Sequence, residues 1–302
     1  MTPLLDAAET AARLRYPALV QQIRELLADR SVVVPERLVP PLSGGGSLFV
    51  MPAMDSRIAI AKLITFTPAN AGTGRPAIQG DVVLFDVASG ARTLILDGPT
   101  VTARRTAAVS LLAAQCLAPE KNGPLLIVGA GAQGRAHLEA FAEGLGVREV
   151  FIASRGSAGA QALAAHARTL GLKARGVADP NAALADCPLV VTCTPAAGVV
   201  LDALPREQAF IAAVGAFTPD MVELGATLCR HCAEHGSVVV DTPQAAHEAG
   251  DLLQAGLDVA SFTTLKDVVL AMPQPVKRGP VLFKSCGWAG WDLAAARTAL
   301  RG

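Results

Sequence analysis

The sequence predicts an α/β chain in which a doubly wound, parallel-sheet domain is inserted within an α+β domain. Three observations carry that expectation. From Leu125 onward, near-continuous apolar runs alternate with amphipathic helical stretches, the rhythm of a parallel sheet covered by helices on both faces. Ahead of it the rhythm is one of strands, a hairpin and a long Ala-rich helix. Behind it the chain ends in another helix, "GWDLAAARTAL", expected to fold back on the first domain. The expected division is 1–118 together with 270–302, and 119–269 as the inserted unit.

In order, residues 5–29 read as helix. "SVVVP" (31–35), "SLFVMPAM" (47–54) and "IAIAKLITFTP" (58–68) read as strands. "DVVLFDVASGARTLILDG" (81–98) reads as a hairpin that turns at Ser89-Gly90. "TARRTAAVSLLAAQCLA" (102–118) reads as helix. The inserted unit begins with the strand "LLIV" and a helix over 132–145, then "EVFIAS" and a helix over 157–170. "KARGVA", a short helix near 181–186, "PLVVTCT", "AFIAAVG", a helix near 220–234 and "SVVVDT" follow, for six strands in all.

With 302 residues, 51% hydrophobic and 17% charged, the chain is long and apolar enough for two cored domains. Lys plus Arg and Asp plus Glu are 26 each, a balance that gives no support for a nucleic acid or an anionic membrane as partner. No run of about 18 apolar residues is present, and "MTPLLDAAET" lacks a signal-peptide core, so a cytoplasmic protein that does not span a membrane is expected. The six cysteines do not read as a disulfide framework in a chain of this length. In "CRHCAEH", Cys229, Cys232 and His235 are spaced by three, but no second Cys/His pair follows to complete a four-ligand site. They are read as ordinary helix residues, and no metal is expected.

The motif that carries chemistry is "VGAGAQG". Gly129, Gly131 and Gly134 form G-x-G-x-x-G between a strand and a helix, the Rossmann-type dinucleotide signature. Gly129 allows the tight turn, Gly131 lets the backbone approach a pyrophosphate, and Gly134 lets the helix pack close to its strand. The anion then lies on the N–H groups at the positive end of the helix. At the end of the next strand, where NAD sites commonly carry an acid for the ribose 2′-hydroxyl, stand Ser154 and Arg155. An arginine there suits a 2′-phosphate, so NADP(H) is the preferred cofactor and NAD(H) a possible one. A solvated surface charge is the other reading of Arg155.

These stretches, together with "VMPAM" (50–54), "AKLITF" (61–66), "LDGPTVTARRTAAVS" (96–110), "AVGAFTPDMVEL" (213–224), "VVVDTPQAAHEAGDL" (238–252) and "FKSCGWAGWD" (283–292), resemble the ornithine cyclodeaminase/mu-crystallin family in order across nearly the whole chain. The resemblance implies a homodimer whose first domain, with the C-terminal helix, binds substrate and makes the subunit contact. It implies a small carboxylated amino or imino acid as substrate. Arg37, Lys62 and Arg105 match the family's substrate-binding positions, with Lys62 and Arg105 as the candidate catalytic residues. Physically the set suits a carboxylate held by charge-assisted donors. Lys62 also lies in an apolar strand-like run where a solvated lysine is unexpected. Adjacent Arg104 and Arg105 cannot both point the same way, and the resemblance selects Arg105. The candidate cofactor contacts are Thr106, Gly129, Ala130, Gly131, Ala132, Gln133, Gly134, Ser154, Arg155, Thr192, Thr194, Val214 and Gly215.

The activity implied is hydride transfer at a carbon bearing nitrogen: an NAD(P)-dependent imino-acid (ketimine) reductase or amino-acid dehydrogenase. The alternatives are ornithine cyclodeaminase, which converts ornithine to proline plus ammonia, and an NADPH-binding protein without turnover. Three departures weigh against the deaminase. The family's aspartate two residues after the "AVG" glycine is Phe217 here. A Glu-Asp pair near the C-terminus is Trp291-Asp292, and "TTLKDVV" (263–269) lacks the usual Gly-Glu. If another carboxylate has taken over the role of the missing one, Asp220 and Asp292 are the candidates.

Overall fold

The computed structural model describes residues 2–70, 73–195, 197–271 and 279–301. In chain order the first elements are β1 (Leu4–Leu5), α1 (Ala7–Arg13), α2 (Tyr16–Ala28), β2 (Ser47–Met54), β3 (Ile58–Phe66), β4 (Ile78–Asp86), β5 (Arg92–Asp97) and α3 (Gly98–Leu117). Then come β6 (Leu125–Val128), α4 (Ala132–Leu145), β7 (Glu149–Ala153), α5 (Ser157–Thr169), β8 (Lys173–Gly176), α6 (Pro180–Leu184), β9 (Leu189–Thr192), β10 (Ala197–Leu201), β11 (Phe210–Ala213) and β12 (Val222–Leu224). The last are α7 (Ala226–His235), β13 (Ser237–Val240), α8 (Ala245–Glu248), α9 (Gly250–Gln254), β14 (Thr263–Thr264), α10 (Leu265–Leu270), β15 (Val281–Lys284) and α11 (Ala289–Ala299).

The chain forms two compact units, Met1–Arg105 with Trp288–Gly302, and Thr106–Gly287. Both breaks differ from the expected 118/119 and 269/270. The second half of α3 is tied to α4 within unit 2, where Ser110 meets His137 and a Cβ on Gly144 would press on Leu111. At the other end, "VLFK" is a central strand of the unit 2 sheet, so the chain leaves that unit only at Gly287. Residues 272–278 of the expected tail segment lie outside the described residues.

Unit 1 is a five-stranded sheet in the order β1-β5-β4-β3-β2, with α11 packed on β2, β3 and α2. Strand alternation puts Met51, Ala53, Ile60, Ile64, Val82, Leu84, Leu94 and Leu96 on the buried face. The expected single helix over 5–29 is two helices. Arg15 is the extended N-cap of α2, and Pro17 lies in its first turn, where a missing N–H leaves no helical hydrogen bond unmade. "SVVVP" makes only an isolated bridge, Val33 to Met54. Arg297 fastens α11 to the unit, donating from Nε to Asp55 Oδ2 at 2.7 Å and from Nη2 to Asp29 Oδ2 at 2.6 Å.

Unit 2 is an eight-stranded parallel sheet in the order β14-β13-β15-β11-β9-β6-β7-β8. Its central strands "LLIV", "LVVT", "FIAA" and "VLFK" are buried throughout, as a sheet covered on both faces requires. The edge strand "KARG" is largely exposed. The order reverses at β6, and the sheet is doubly wound around that point. Of the stretch expected as helix near 220–234, Val222–Leu224 is instead a short strand paired with β10, and the helix starts at Ala226. Among the described residues, no helix is long and apolar enough to cross a membrane.

Candidate active site

In unit 1, Lys62 and Arg105 converge on one carboxylate, Asp292. Lys62 sits mid-strand in β3, paired across to Met51 and Val82 on the buried face. Its Nζ is 2.8 Å from Asp292 Oδ2, and Arg105 Nε is 3.2 Å from Asp292 Oδ1. Lys62, Arg105 and Asp292 are 1%, 6% and 0% exposed. Such depth is tolerated by these charges because they are paired. Burial draws the Lys62 ammonium down to about 8, against the pull of Asp292; the charges of Arg105 and Arg37 push the same way as burial. Asp292 stands in the first turn of α11, where the helix dipole favours an anion.

Arg104 and Arg105 diverge. Arg104 donates to the Leu14 carbonyl at 2.8 Å and lies 4.1 Å over the Tyr16 ring, while Arg105 turns inward to Asp292. Arg37 lies half-buried in the segment before β2, next to the bridge between Leu38 and Val50. Its charge is felt at Lys62. Asp292 was visible in the sequence only as a fallback. Its signal is a lone acid in an Ala-rich helix.

In unit 2, the nucleotide candidates other than Thr106 gather at the carboxyl ends of four adjacent parallel strands, β7, β6, β9 and β11. That edge, at the reversal of strand order, is where such sheets bind ligands. Gly129, ending β6, has φ +119°, and a Cβ there would stand 2.7 Å from the Cys193 carbonyl oxygen. Gly134 packs α4 onto β6 so closely that a Cβ would run into the Gly129 carbonyl. Gly131 is the N-cap of α4, without a side-chain cap, and a Cβ added there would meet nothing within 4 Å. Ala130 is half-buried and Ala132 exposed beside it. The Gln133 Oε1 acceptor is buried with no hydrogen-bond partner among the described residues. The N–H groups of the first helical turn, which have no partner within the helix, and a glycine that leaves room fit a dinucleotide pyrophosphate.

Behind the turn, His137 Nδ1 donates to the Gln133 carbonyl at 2.7 Å. Its Nε2, 2.9 Å away, therefore accepts from the Ser110 hydroxyl in the neutral ring. Burial lowers His137 to about 4, so it stays neutral and braces the first turn of α4.

At the end of β7, Ser154 donates to the Gly156 carbonyl at 2.6 Å and Arg155 is exposed. Thr106, the first residue of unit 2, is buried in α3. Val214 donates its N–H to the Thr192 carbonyl at 2.9 Å. Thr192, Thr194 and Gly215 share a partner the sequence did not suggest, the fully buried Glu223. Its Oε1 accepts from Thr194 N at 2.6 Å and Thr194 Oγ1 at 2.8 Å. Its Oε2 accepts from Gly215 N at 2.6 Å and Thr192 Oγ1 at 3.2 Å.

Phe217 is partly buried and packed against the apolar core of unit 2, and Asp220 is exposed. Cys229 and Cys232 point into that core, where burial raises both thiols, Cys232 to about 12. His235 is exposed, and its ring lies 4.8 Å from that of His231 at a tilt of 52°. The three residues spaced by three thus do not face one point. All six cysteines are free thiols.

The sequence profile of the ornithine cyclodeaminase/mu-crystallin family matches residues 4–300. The chain is 40% identical over 304 residues to Delta(1)-pyrroline-2-carboxylate reductase 2 of Burkholderia ambifaria, covering 98% of this chain and 94% of that protein. It is 34% identical over 305 residues to the ketimine reductase mu-crystallin of Mus musculus, covering 97% and 95%. The same fold occurs in the Thermococcus litoralis Delta(1)-pyrroline-2-carboxylate reductase solved with NADH and L-proline, at TM-score 0.90 and 23% identity over 99% of this chain and 97% of that one. A profile match over nearly the full length, joined to relatives covered end to end, makes this chain a member of the ornithine cyclodeaminase/mu-crystallin family.

Proposed function

We propose that this protein is an NAD(P)-dependent reductase of small, carboxylated cyclic imino acids, able in reverse to oxidise the corresponding amino acid. The observation that carries this reading is the buried cluster of unit 1. Lys62 and Arg105 bring two positive charges to the single negative charge of Asp292, and Arg37 adds a third whose field reaches Lys62. A buried surplus of positive charge suits a substrate that is itself a carboxylate. Two of the relatives are named for reducing C=N bonds, in Delta(1)-pyrroline-2-carboxylate and in ketimines.

In unit 2, the first turn of α4 and the ends of β7, β9 and β11 would hold the dinucleotide, whose nicotinamide would supply the hydride for the carbon of the C=N bond. Arg105 turns its Nε to Asp292 and holds the substrate carboxylate with its remaining N–H groups, helped by Arg37. The imine nitrogen takes its proton from Lys62 Nζ. An ammonium held at about 8 gives up a proton and regains it near neutral pH, whereas an ordinary lysine does so poorly. Asp292 keeps that ammonium charged where burial alone would strip it.

Phe217 separates this chemistry from deamination. It packs on apolar core where the family's deaminases carry an acid, and it accepts no proton from a substrate amine. The test is a paired assay. NADPH absorbance should fall with a five- or six-membered cyclic imino acid, and ornithine with catalytic nucleotide should release no ammonia at an enzymatic rate. A missing general base typically costs about 10²–10⁴-fold. Robust ammonia release would move the protein to the deaminase reading. Nucleotide binding with no turnover on any imino or amino acid would leave a binding protein.

NADP(H) is the preferred nucleotide in this reading, supported by the exposed Arg155 and the absence of an acid at the end of β7. Arg155→Ala should weaken NADPH by about 1.5–3 kcal/mol, one charge-assisted contact, with little change for NADH. Equal losses for both nucleotides would remove the 2′-phosphate role.

The protein is proposed to act as a homodimer through unit 1. The sheet face opposite the buried one carries Val50, Pro52, Ala61, Leu63, Val83 and Ile95, all left partly exposed, with Leu63 at 43%. A second copy would cover so apolar a face. A monomer at micromolar concentration in sedimentation equilibrium would rule this out.

A further inference from the structure

We infer that Glu223 is a positioning residue of the nucleotide site, a carboxylate that holds the nicotinamide-side loops in register. The inference rests on the nucleotide reading above and names the residue that shapes one half of it. A doubly wound sheet binds the two halves of a dinucleotide on either side of its reversal point. Strands β6, β7 and β8 form the half that takes the adenosine. Strands β9 and β11 begin the other, and their ends carry Thr192, Thr194, Val214 and Gly215.

Glu223 comes from β12, outside that sheet, and spans both strand ends at once. One oxygen takes the Thr194 N–H and hydroxyl, the other the Gly215 N–H and the Thr192 hydroxyl. Four donors meet one carboxylate, and two of them are backbone amides that cannot reverse their role. The approach to Gly215 is so close that a Cβ there would stand 2.5 Å from the Glu223 carboxylate carbon.

Glu223 is in turn held rigidly. Its own N–H and that of Leu224 donate to Asp251 Oδ1 at 2.6 and 2.9 Å. Asp251 Oδ2 takes Lys284 Nζ at 2.6 Å. Burial pushes the Glu223 carboxyl up, and Lys284 and the Thr194 donors oppose it. A row of buried carboxylate, carboxylate and ammonium is costly where packing alone is needed. It is intelligible where two loops must be fixed to within fractions of an ångström for a ligand.

The experiment compares dinucleotides with their nicotinamide-free halves: NADPH against 2′-phospho-ADP-ribose, and NADH against ADP-ribose, titrated on the full chain. In Glu223→Gln the isosteric amide must set its NH2 against the Thr194 N–H or the Gly215 N–H, whichever way it is turned, and the loops part. The expected result is about tenfold weaker dinucleotide binding with the half-molecule unchanged. A general loosening of unit 2 would weaken both together and overturn the inference, as would an unchanged ratio. Glu223→Asp keeps the charge but falls one methylene short of bridging both loops, and should raise the ratio about threefold. If the glutamine variant does not fold, the aspartate variant decides, and an unchanged ratio there overturns the inference. Wild-type protein that binds neither dinucleotide would overturn the nucleotide reading and this inference together. Binding by wild type with unaltered ratios in the variants overturns this inference alone.

Discussion

Lys62→Met should lower kcat/KM for a cyclic imino acid by about 10²–10⁴-fold, the usual worth of a positioned proton donor, and leave dinucleotide affinity unchanged. Methionine keeps much of the aliphatic length of lysine, so the buried face of β3 stays filled. Asp292 retains Arg105 Nε at 3.2 Å and is not left as an unpaired buried charge, so the variant folds. The loss should fall mainly on kcat, because the proton is needed as the nitrogen gains its electron pair. Arg105→Met should differ in kind, raising KM for carboxylated substrates more than it lowers kcat, because a carboxylate contact is made in ground and transition states alike. A folded Lys62→Met protein with wild-type kcat/KM would remove Lys62 from the chemistry. The same kcat and KM pattern in both variants would remove the division of roles.

The parts legible in the sequence were those with a short-range signature. G-x-G-x-x-G between strand and helix is local, and so is a lysine inside the apolar run "IAIAKLITF". Choosing Arg105 over Arg104 needed the family resemblance, since only tertiary contacts with Leu14, Tyr16 and Asp292 separate two adjacent arginines. Asp292 was hard to read because its partner Arg105 lies 187 residues away. An acid in the first turn of a helix is ordinary capping chemistry when seen alone. Glu223 was hidden by "PDMVEL", whose mixed pattern reads as helix but holds a three-residue strand. "VLFK" is too short an apolar run for periodicity to distinguish strand from helix, and a lysine is seldom found in a buried strand. What makes Lys284 tolerable there is Asp251, from a different element. In each case the missing information was the partner of a buried charge, which no local pattern contains.

Asp292→Asn should be the most damaging single change in unit 1. Asparagine has the same shape, but its NH2 must face either Lys62 Nζ or Arg105 Nε, both donors. Two buried cations would then confront each other with no anion between them. Breaking a buried pair in this way costs about 3–5 kcal/mol, and a Tm lower by roughly 10 °C is expected. Activity should show the same defect with a definite sign. Asp292 raises the Lys62 pKa and burial lowers it, with a balance near 8. In the wild type Lys62 is charged below that pH, so kcat/KM should hold on the acid side and fall as pH rises through about 8. Without Asp292 the descending limb should move to lower pH, and activity at neutral pH should fall with it. For stability the sign is opposite in sense: the unfolded chain binds this proton at 10.5 and the folded one only near 8. Lys62 therefore opposes folding increasingly as pH falls between those values, and by a constant amount below them. The double variant Lys62→Met/Asp292→Asn separates charge from shape. With one cation gone, the repulsion that destabilises Asp292→Asn is gone too, and part of the lost Tm should return while activity does not. A double variant as unstable as the sum of its two single changes would show that Asp292 does not act by balancing Lys62. An Asp292→Asn protein whose descending pH limb stays near 8 would show the same for catalysis.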